Sequence, residues 1–236
     1  MFTSPVRAAA GVAVVSVLLA IPGTAQDTTP VATARYKAVI KVACVGDSIT
    51  QGHGVPGGMA WPDQLARMLG EKWTVGNFGI SGTTLMKSGD KPYQNEEAFK
   101  NAKSFNPDVV VIMLGTNDTK PGNWKDKARF EADYQDLLQQ FAQLPGKPKT
   151  YLCYPARVVG DGNWGINEAG VQEEIPIIAK LAKELKLGVI DIHAAFKDKD
   201  ALIPDKVHPN SEGATLIAGT VYKALTGKEA PADTAK

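Results

Sequence analysis

The sequence predicts an α/β domain in which five parallel strands form a sheet covered by helices on both faces. Three observations support that expectation. Apolar runs rich in β-branched residues recur five times, helix-like stretches separate them, and neither an internal repeat nor a low-complexity tract marks off a second domain. The strand candidates are YKAVIKVACVG at 36–46, WTVGNFG at 73–79, DVVVIMLG at 108–115, KTYLCYP at 149–155 and LGVIDI at 187–192. Their apolar bulk suits strands covered on both sides. The helix candidates are 60–71, 96–105, 126–144, 167–186 and a last one over 211–225. In the third, Phe130, Tyr134, Leu137, Leu138 and Phe141 return every three or four residues and so form one inward face. Strands that alternate with helices pair in parallel, because each helix carries the chain back to the same edge of the sheet.

The first 25 residues fall outside this pattern. MFTSPVR carries one positive charge, the apolar run AAAGVAVVSVLLAI follows, and Gly23 and Ala25 place small residues ahead of a cleavage point. Residues 1–25 therefore read as a secretory signal peptide, with a retained membrane anchor as the alternative. Residues 26–35 are expected as a flexible lead-in, 36–226 as the folded domain, and 227–236, GKEAPADTAK, as a loose tail. A secreted or periplasmic location follows, without stable membrane insertion after cleavage. Of 26 basic residues one, Arg7, sits in the leader, which leaves basic and acidic residues in balance and no basic surface for nucleic acid. Cys44 and Cys153 each lie within an apolar strand run and are expected as buried thiols rather than a disulfide. The sequence leaves the oligomeric state open.

Binding sites in open α/β sheets gather at the carboxyl ends of the strands. Ser48 follows the first strand, Gly82 the second and Asn117 the third, while His208 lies between the fifth strand and the last helix. All four segments should meet at one edge. GDSITQG lacks the spacing of a nucleotide phosphate loop or a dinucleotide turn, so Ser48 is either a helix cap or a nucleophile. Asp205 and His208 stand three residues apart in IPDKVHPN, bracketed by Pro204 and Pro209, where one turn can bring both side chains together. A histidine with a partner on one ring nitrogen presents the other as a base. In that scheme Ser48 attacks, His208 moves its proton, and Asp205 orients the ring and stabilises its charged form. The oxyanion then has three donors at the same edge: the backbone N–H groups of Ser48 and Gly82 and the side-chain amide of Asn117. Asn117 as a simple turn residue is the alternative.

GDSIT around Ser48, NFGISG around Gly82, GTND around Asn117 and DKVHPN around His208 resemble the four sequence blocks of the SGNH, or GDSL-type, hydrolase superfamily. The resemblance spans residues 38–225. It implies a three-layer α/β/α sandwich with a five-stranded parallel sheet in the flavodoxin-like order 2-1-3-4-5. It also implies catalytic roles for Ser48, His208 and Asp205 and oxyanion roles for Gly82 and Asn117. GDSIT in place of GDSL leaves the serine untouched. Within the superfamily the sequence is similar to bacterial carbohydrate O-acetylesterases, which implies a short-chain acyl ester on a sugar as substrate. A lysophospholipase, an arylesterase or a thioesterase are the enzyme alternatives, and a glycan-binding module without turnover or a structural partner in an envelope assembly are the non-catalytic ones.

Other polar residues have weaker claims. Asp47 and Asp118 flank the catalytic positions and are expected to organise their loops, with substrate contact a further role for Asp47. His53 in QGHGVPGG, and Arg157 and Trp164 in YPARVVGDGNWGINEAG, are candidate substrate contacts; Lys120 and Trp124 occupy a second loop. Aromatic rings with polar neighbours suit a sugar, although a tryptophan that packs its own loop reads the same way. Asp191 and His193 lack a third ligand for a metal, and acyl transfer by a serine calls for neither metal nor cofactor.

Overall fold

The computed structural model describes residues 29–231, so the leader expected at 1–25 lies outside the described residues. In chain order the elements are β1 (Ile40–Gly46), α1 (Ser48–Gln51), α2 (Trp61–Leu69), β2 (Trp73–Gly79), α3 (Glu97–Ser104), β3 (Val109–Met113), α4 (Pro121–Trp124), α5 (Phe130–Ala142), β4 (Lys149–Tyr154), α6 (Glu168–Leu185), β5 (Gly188–Asp191), α7 (Ile192–Ala195) and α8 (Ser211–Thr226). The five strands make one sheet in the order β2-β1-β3-β4-β5, and every adjacent pair is parallel. The expected three-layer sandwich is the architecture observed.

Strand geometry sends successive side chains to opposite faces, and the two cores follow that alternation. Val42 and Cys44 of β1, Val109, Val111 and Met113 of β3, and Tyr151 and Cys153 of β4 pack with Trp61, Leu65, Ile217, Val221 and Leu225 from α2 and α8. Their sequence neighbours Ala43, Val45, Val110, Ile112 and Leu152 point the other way, onto Phe99 of α3, Phe130, Tyr134, Leu137 and Phe141 of α5, and Ile178 and Leu181 of α6. Cys44 and Cys153 are buried free thiols within the first of these cores. Among the described residues no helix is long and apolar enough to cross a membrane.

β1 is shorter than the expected run from residue 36. Its first partner on β2 is Trp73, opposite Ile40, so Tyr36 to Val39 have no neighbouring strand to pair with. Lys72 Nζ instead donates to the carbonyls of Tyr36 and Ala38 and fixes them as a turn. The stretches expected as a loose lead-in and tail are docked in their described parts. Val31 is buried and its N–H donates to the Leu225 carbonyl (2.8 Å), Tyr151 Oη donates to the Thr29 carbonyl (2.9 Å), and Ala230 packs on the same core. The Val31 and Thr29 contacts gather around Trp73 and Lys149, the first residues of β2 and β4, at the amino edge of the sheet, whereas Ala230 lies beside Gly219, midway along α8.

Leu137 is fully buried between β3 and the helices on its side. Leu137→Ala should therefore lower unfolding free energy by about 2–5 kcal/mol, read as a lower urea midpoint at unchanged slope.

Candidate active site

Ser48 opens α1 immediately after β1, and Asp47 decides what its hydroxyl can do. Asp47 Oδ1 accepts the Ile49 N–H (2.9 Å) and so serves as the helix cap. The Ser48 hydroxyl is thereby released from capping and lies 2.9 Å from His208 Nε2. Asp47 is almost completely buried, which corrects its candidacy as a substrate contact: it braces the turn from beneath.

The turn that presents His208 is organised by one carboxylate. Asp205 Oδ1 accepts the N–H groups of Val207 (2.9 Å) and His208 (2.6 Å), while Oδ2 meets His208 Nδ1 at 2.8 Å. The same side chain shapes the backbone and holds the ring. Lys206 sits inside this turn at φ 75°, in the left-handed region that a lysine adopts only under constraint. Its carbonyl accepts the Val159 N–H (2.9 Å) and its ammonium pairs with Asp161 (2.6 Å), so the turn is fastened to the loop after β4. Burial opposes charge on Asp205, but the hydrogen bonds from His208 and Val207 outweigh it and hold the carboxyl below the usual aspartate range. Burial pushes the His208 pKa down, Asp205 opposes that push, and nearby His53 adds to it. The balance favours the neutral imidazole, whose Nε2 lies within hydrogen-bond distance of the Ser48 hydroxyl.

The oxyanion candidates stand on the neighbouring exits. Gly82 adopts φ 81°, a conformation that disfavours a side chain. Its loop is held by Gln51, whose Oε1 accepts from both Ser81 N (2.8 Å) and Ser81 Oγ (2.6 Å). Asn117 Nδ2 donates to the Thr83 carbonyl (3.1 Å), which fixes the amide and leaves its second N–H for a ligand. Asp118 accepts the N–H groups of Leu85 and Met86, both at 2.8 Å, and ties the Asn117 turn to the Gly82 loop. The loop-organising reading of Asp47 and Asp118 thus describes both contacts. Burial raises their pKa values, to about 6 and about 7 respectively.

Two rings flank His208. The His53 ring centroid lies 4.2 Å away and that of Trp164 5.3 Å away. Trp164 is 56% exposed, so its face is offered to solvent beside the reacting atoms. Trp124 behaves differently: its indole donates to Glu173 (3.0 Å) and packs edge-on against Phe130, as expected of a ring that stabilises its own loop. Arg157 lies 3.5 Å from Asp200 and Lys120 3.1 Å from Asp90, so each cation has a carboxylate of its own. Asp191 caps α7, and His193 bonds Glu168 (2.6 Å), whose other oxygen accepts the Val158 N–H (2.8 Å). Among the described residues, His53, Asp205 and His208 bring three ligand-type atoms within 4.8 Å of one another. Both His208 nitrogens are already engaged by Ser48 and Asp205, so a cation there would compete with that chain of hydrogen bonds.

Sequence reasoning did not single out Gln51 or Glu168. The first was detectable, since it lies one helical turn after Ser48 on the same short helix. Glu168 reads locally only as the first residue of α6, bonded to Gln172 one turn on, because its other partners, His193 of α7 and Val158 of the loop after β4, are distant in the chain.

The sequence pattern of the GDSL-like lipase/acylhydrolase family matches residues 44–216, and the chain belongs to this family of carboxylic ester hydrolases. An acetylxylan esterase of Xylanibacter ruminicola is 38% identical over 207 residues, which are 79% of this chain and 43% of that protein. The chain thus spans less than half the length of that relative. The thioesterase 1/protease 1/lysophospholipase L1 of Escherichia coli is 27% identical over 198 residues, covering 82% of this chain and 86% of that protein. Among solved structures, the acetyl xylan esterase AlAXEase superposes with a TM-score of 0.63 at 27% identity, covering 79% of this chain and all of that one.

The His208 environment has a measurable consequence. Followed by NMR, its imidazole should titrate below the ordinary value of 6.5. His53→Gln removes a repelling neighbour and should move that titration upward; a downward movement would contradict the geometry.

Proposed function

We propose that the chain is an exported serine esterase that removes short acyl groups, acetyl in particular, from carbohydrate. The observation that supports it most is the continuous chain from Ser48 Oγ through His208 to Asp205, at 2.9 and 2.8 Å, opening beside an exposed indole. Ser48 Oγ attacks the ester carbonyl carbon as His208 Nε2 takes its proton, and Asp205 stabilises the imidazolium. The carbonyl oxygen becomes an oxyanion that the N–H groups of Ser48 and Gly82 and the Asn117 amide receive. Each such donor supplies roughly 3–4 kcal/mol when fixed in advance. His208 then protonates the departing sugar oxygen, and the C–O bond breaks to leave an acyl-serine. Water, deprotonated by the same nitrogen, attacks that ester and releases acetate and the free serine.

The carbohydrate side of the reading draws on Trp164 and on the acetylxylan esterase relatives. An exposed indole stacks on the apolar face of a sugar ring, and its position against His208 would bring the acylated hydroxyl over Ser48. Export agrees with a polymeric substrate outside the cell.

Purified protein should release acetate from acetylated xylan or xylo-oligosaccharides and prefer acetyl to longer acyl esters. A preference for octanoyl over acetyl aryl esters would favour a lipid-type or thioester substrate and overturn the carbohydrate reading. Ser48→Ala should lower kcat by on the order of 10⁴-fold or more, and Asn117→Ala by about 10²–10³-fold. Hydrolysis by S48A equal to wild type would exclude the mechanism. Trp164→Ala should raise KM for the oligosaccharide and leave KM for a small aryl acetate nearly unchanged.

A further inference from the structure

Glu174 is a carboxyl group on the wrong side of its helix. It shares the buried stripe of α6 with Gly170, Val171, Ile178, Leu181 and Ala182, and is itself fully buried. Neither of its oxygens has a hydrogen-bond partner among the described residues. The group lies against the turn after β3: Gly115 adopts φ 128°, and a Cβ there would collide with Glu174 Oε2. Asp47 and Asp118 act on it electrostatically, one from the start of α1 and one from the turn itself, and Tyr134 of α5 feels the charges of Glu174 and Asp118. Tyr134 Oη is also buried without a partner among the described residues, and the Thr116 side chain acts on Asp47. Lys120 acts on Asp47.

Backbone donors decide how charge is shared among the three carboxyls. Asp118 accepts two N–H groups and Asp47 one, whereas Glu174 accepts none. A buried group without donors keeps its proton, because the neutral acid loses far less hydration than the anion.

Resting on the serine-esterase reading, we propose that Glu174, as the neutral acid, is a positioning residue: it fills the space beneath Gly115 and thereby sets where Asn117 stands relative to Ser48. Ionisation would add a buried negative charge beside Asp47 and Asp118 and press the turn away from its catalytic position. Glu174 touches no substrate in this scheme and acts through the oxyanion donor.

The test compares Glu174→Gln with Glu174→Ala, using kcat and KM for an aryl acetate across pH. E174A should lower kcat about tenfold or more while KM changes less than about threefold, since misplacing a group by 1 Å can cost far more than that. E174Q, neutral and of equal size, should retain kcat within about threefold of wild type and should lose any alkaline fall that wild type shows as Glu174 ionises. The proposal is overturned if E174Q is as impaired as E174A, the result expected if the cluster needs the anion to hold a cation. It is equally overturned if E174A keeps the wild-type kcat. Should E174A lack a cooperative thermal transition, E174Q decides alone: a tenfold loss in a folded variant contradicts the neutral acid. S48A run in parallel separates the two readings, because an active S48A removes the serine mechanism, whereas an inactive S48A beside an unimpaired E174A removes only the role of Glu174.

Discussion

A parallel sheet sealed on both faces by helices can meet solvent only at its edges, and its register decides which residues arrive there together. Gly46 ends β1 opposite Gly79 at the end of β2 and Met113 at the end of β3. The three chains therefore leave the sheet level with one another. Ser48, Gly82 and Asn117 lie a few residues beyond these exits and inherit that alignment. A slip in either pairing would carry a donor away by a full residue repeat of about 3.3 Å, longer than a hydrogen bond. The positions of the proposed nucleophile and oxyanion donors are thus consequences of sheet pairing, and only the proposed base needs a device of its own.

That device is the Asp205 turn, and carboxylates perform similar work throughout the site. Asp47 caps α1, Asp118 joins two loops, and Asp205 both shapes a turn and orients a ring. Each converts loop backbone into a fixed structure by accepting N–H groups that no strand or helix supplies. The cost is desolvation, visible in the raised pKa values of Asp47 and Asp118. Asp205 is less buried and keeps its charge, as a partner for an imidazolium requires. Local stability and catalytic electrostatics are set here by the same few groups.

Much of this was legible in the sequence. Apolar runs marked all five strands, and the GDSIT, NFGISG and GTND blocks fell just beyond the first three, while DKVHPN lies in the loop before α8. The three-residue interval between Asp205 and His208 foretold the turn, since short-range spacing survives into structure. The strand order came from family resemblance, as periodicity carries no information on which strands lie side by side. What stayed hidden depends on long-range contacts. Trp124 and Trp164 looked alike until one was seen bonded to Glu173 and the other facing solvent. Glu174 in QEEIP was not singled out, yet its spacing from Val171, Ile178 and Leu181 places it on the apolar stripe. Tyr36 to Val39 read as strand because their composition is right; they lack only a partner.

The docking of Val31 against Leu225 has an architectural consequence. Thr29 and Val31 sit at the amino edge of the sheet, at the opposite end of the strands from Ser48. A companion module or an immobilising linkage attached there would leave the mouth of the site facing outward, so that a bulky, insoluble polymer could be approached head-on. The catalytic edge could then be presented to a surface without remodelling the loops that form it.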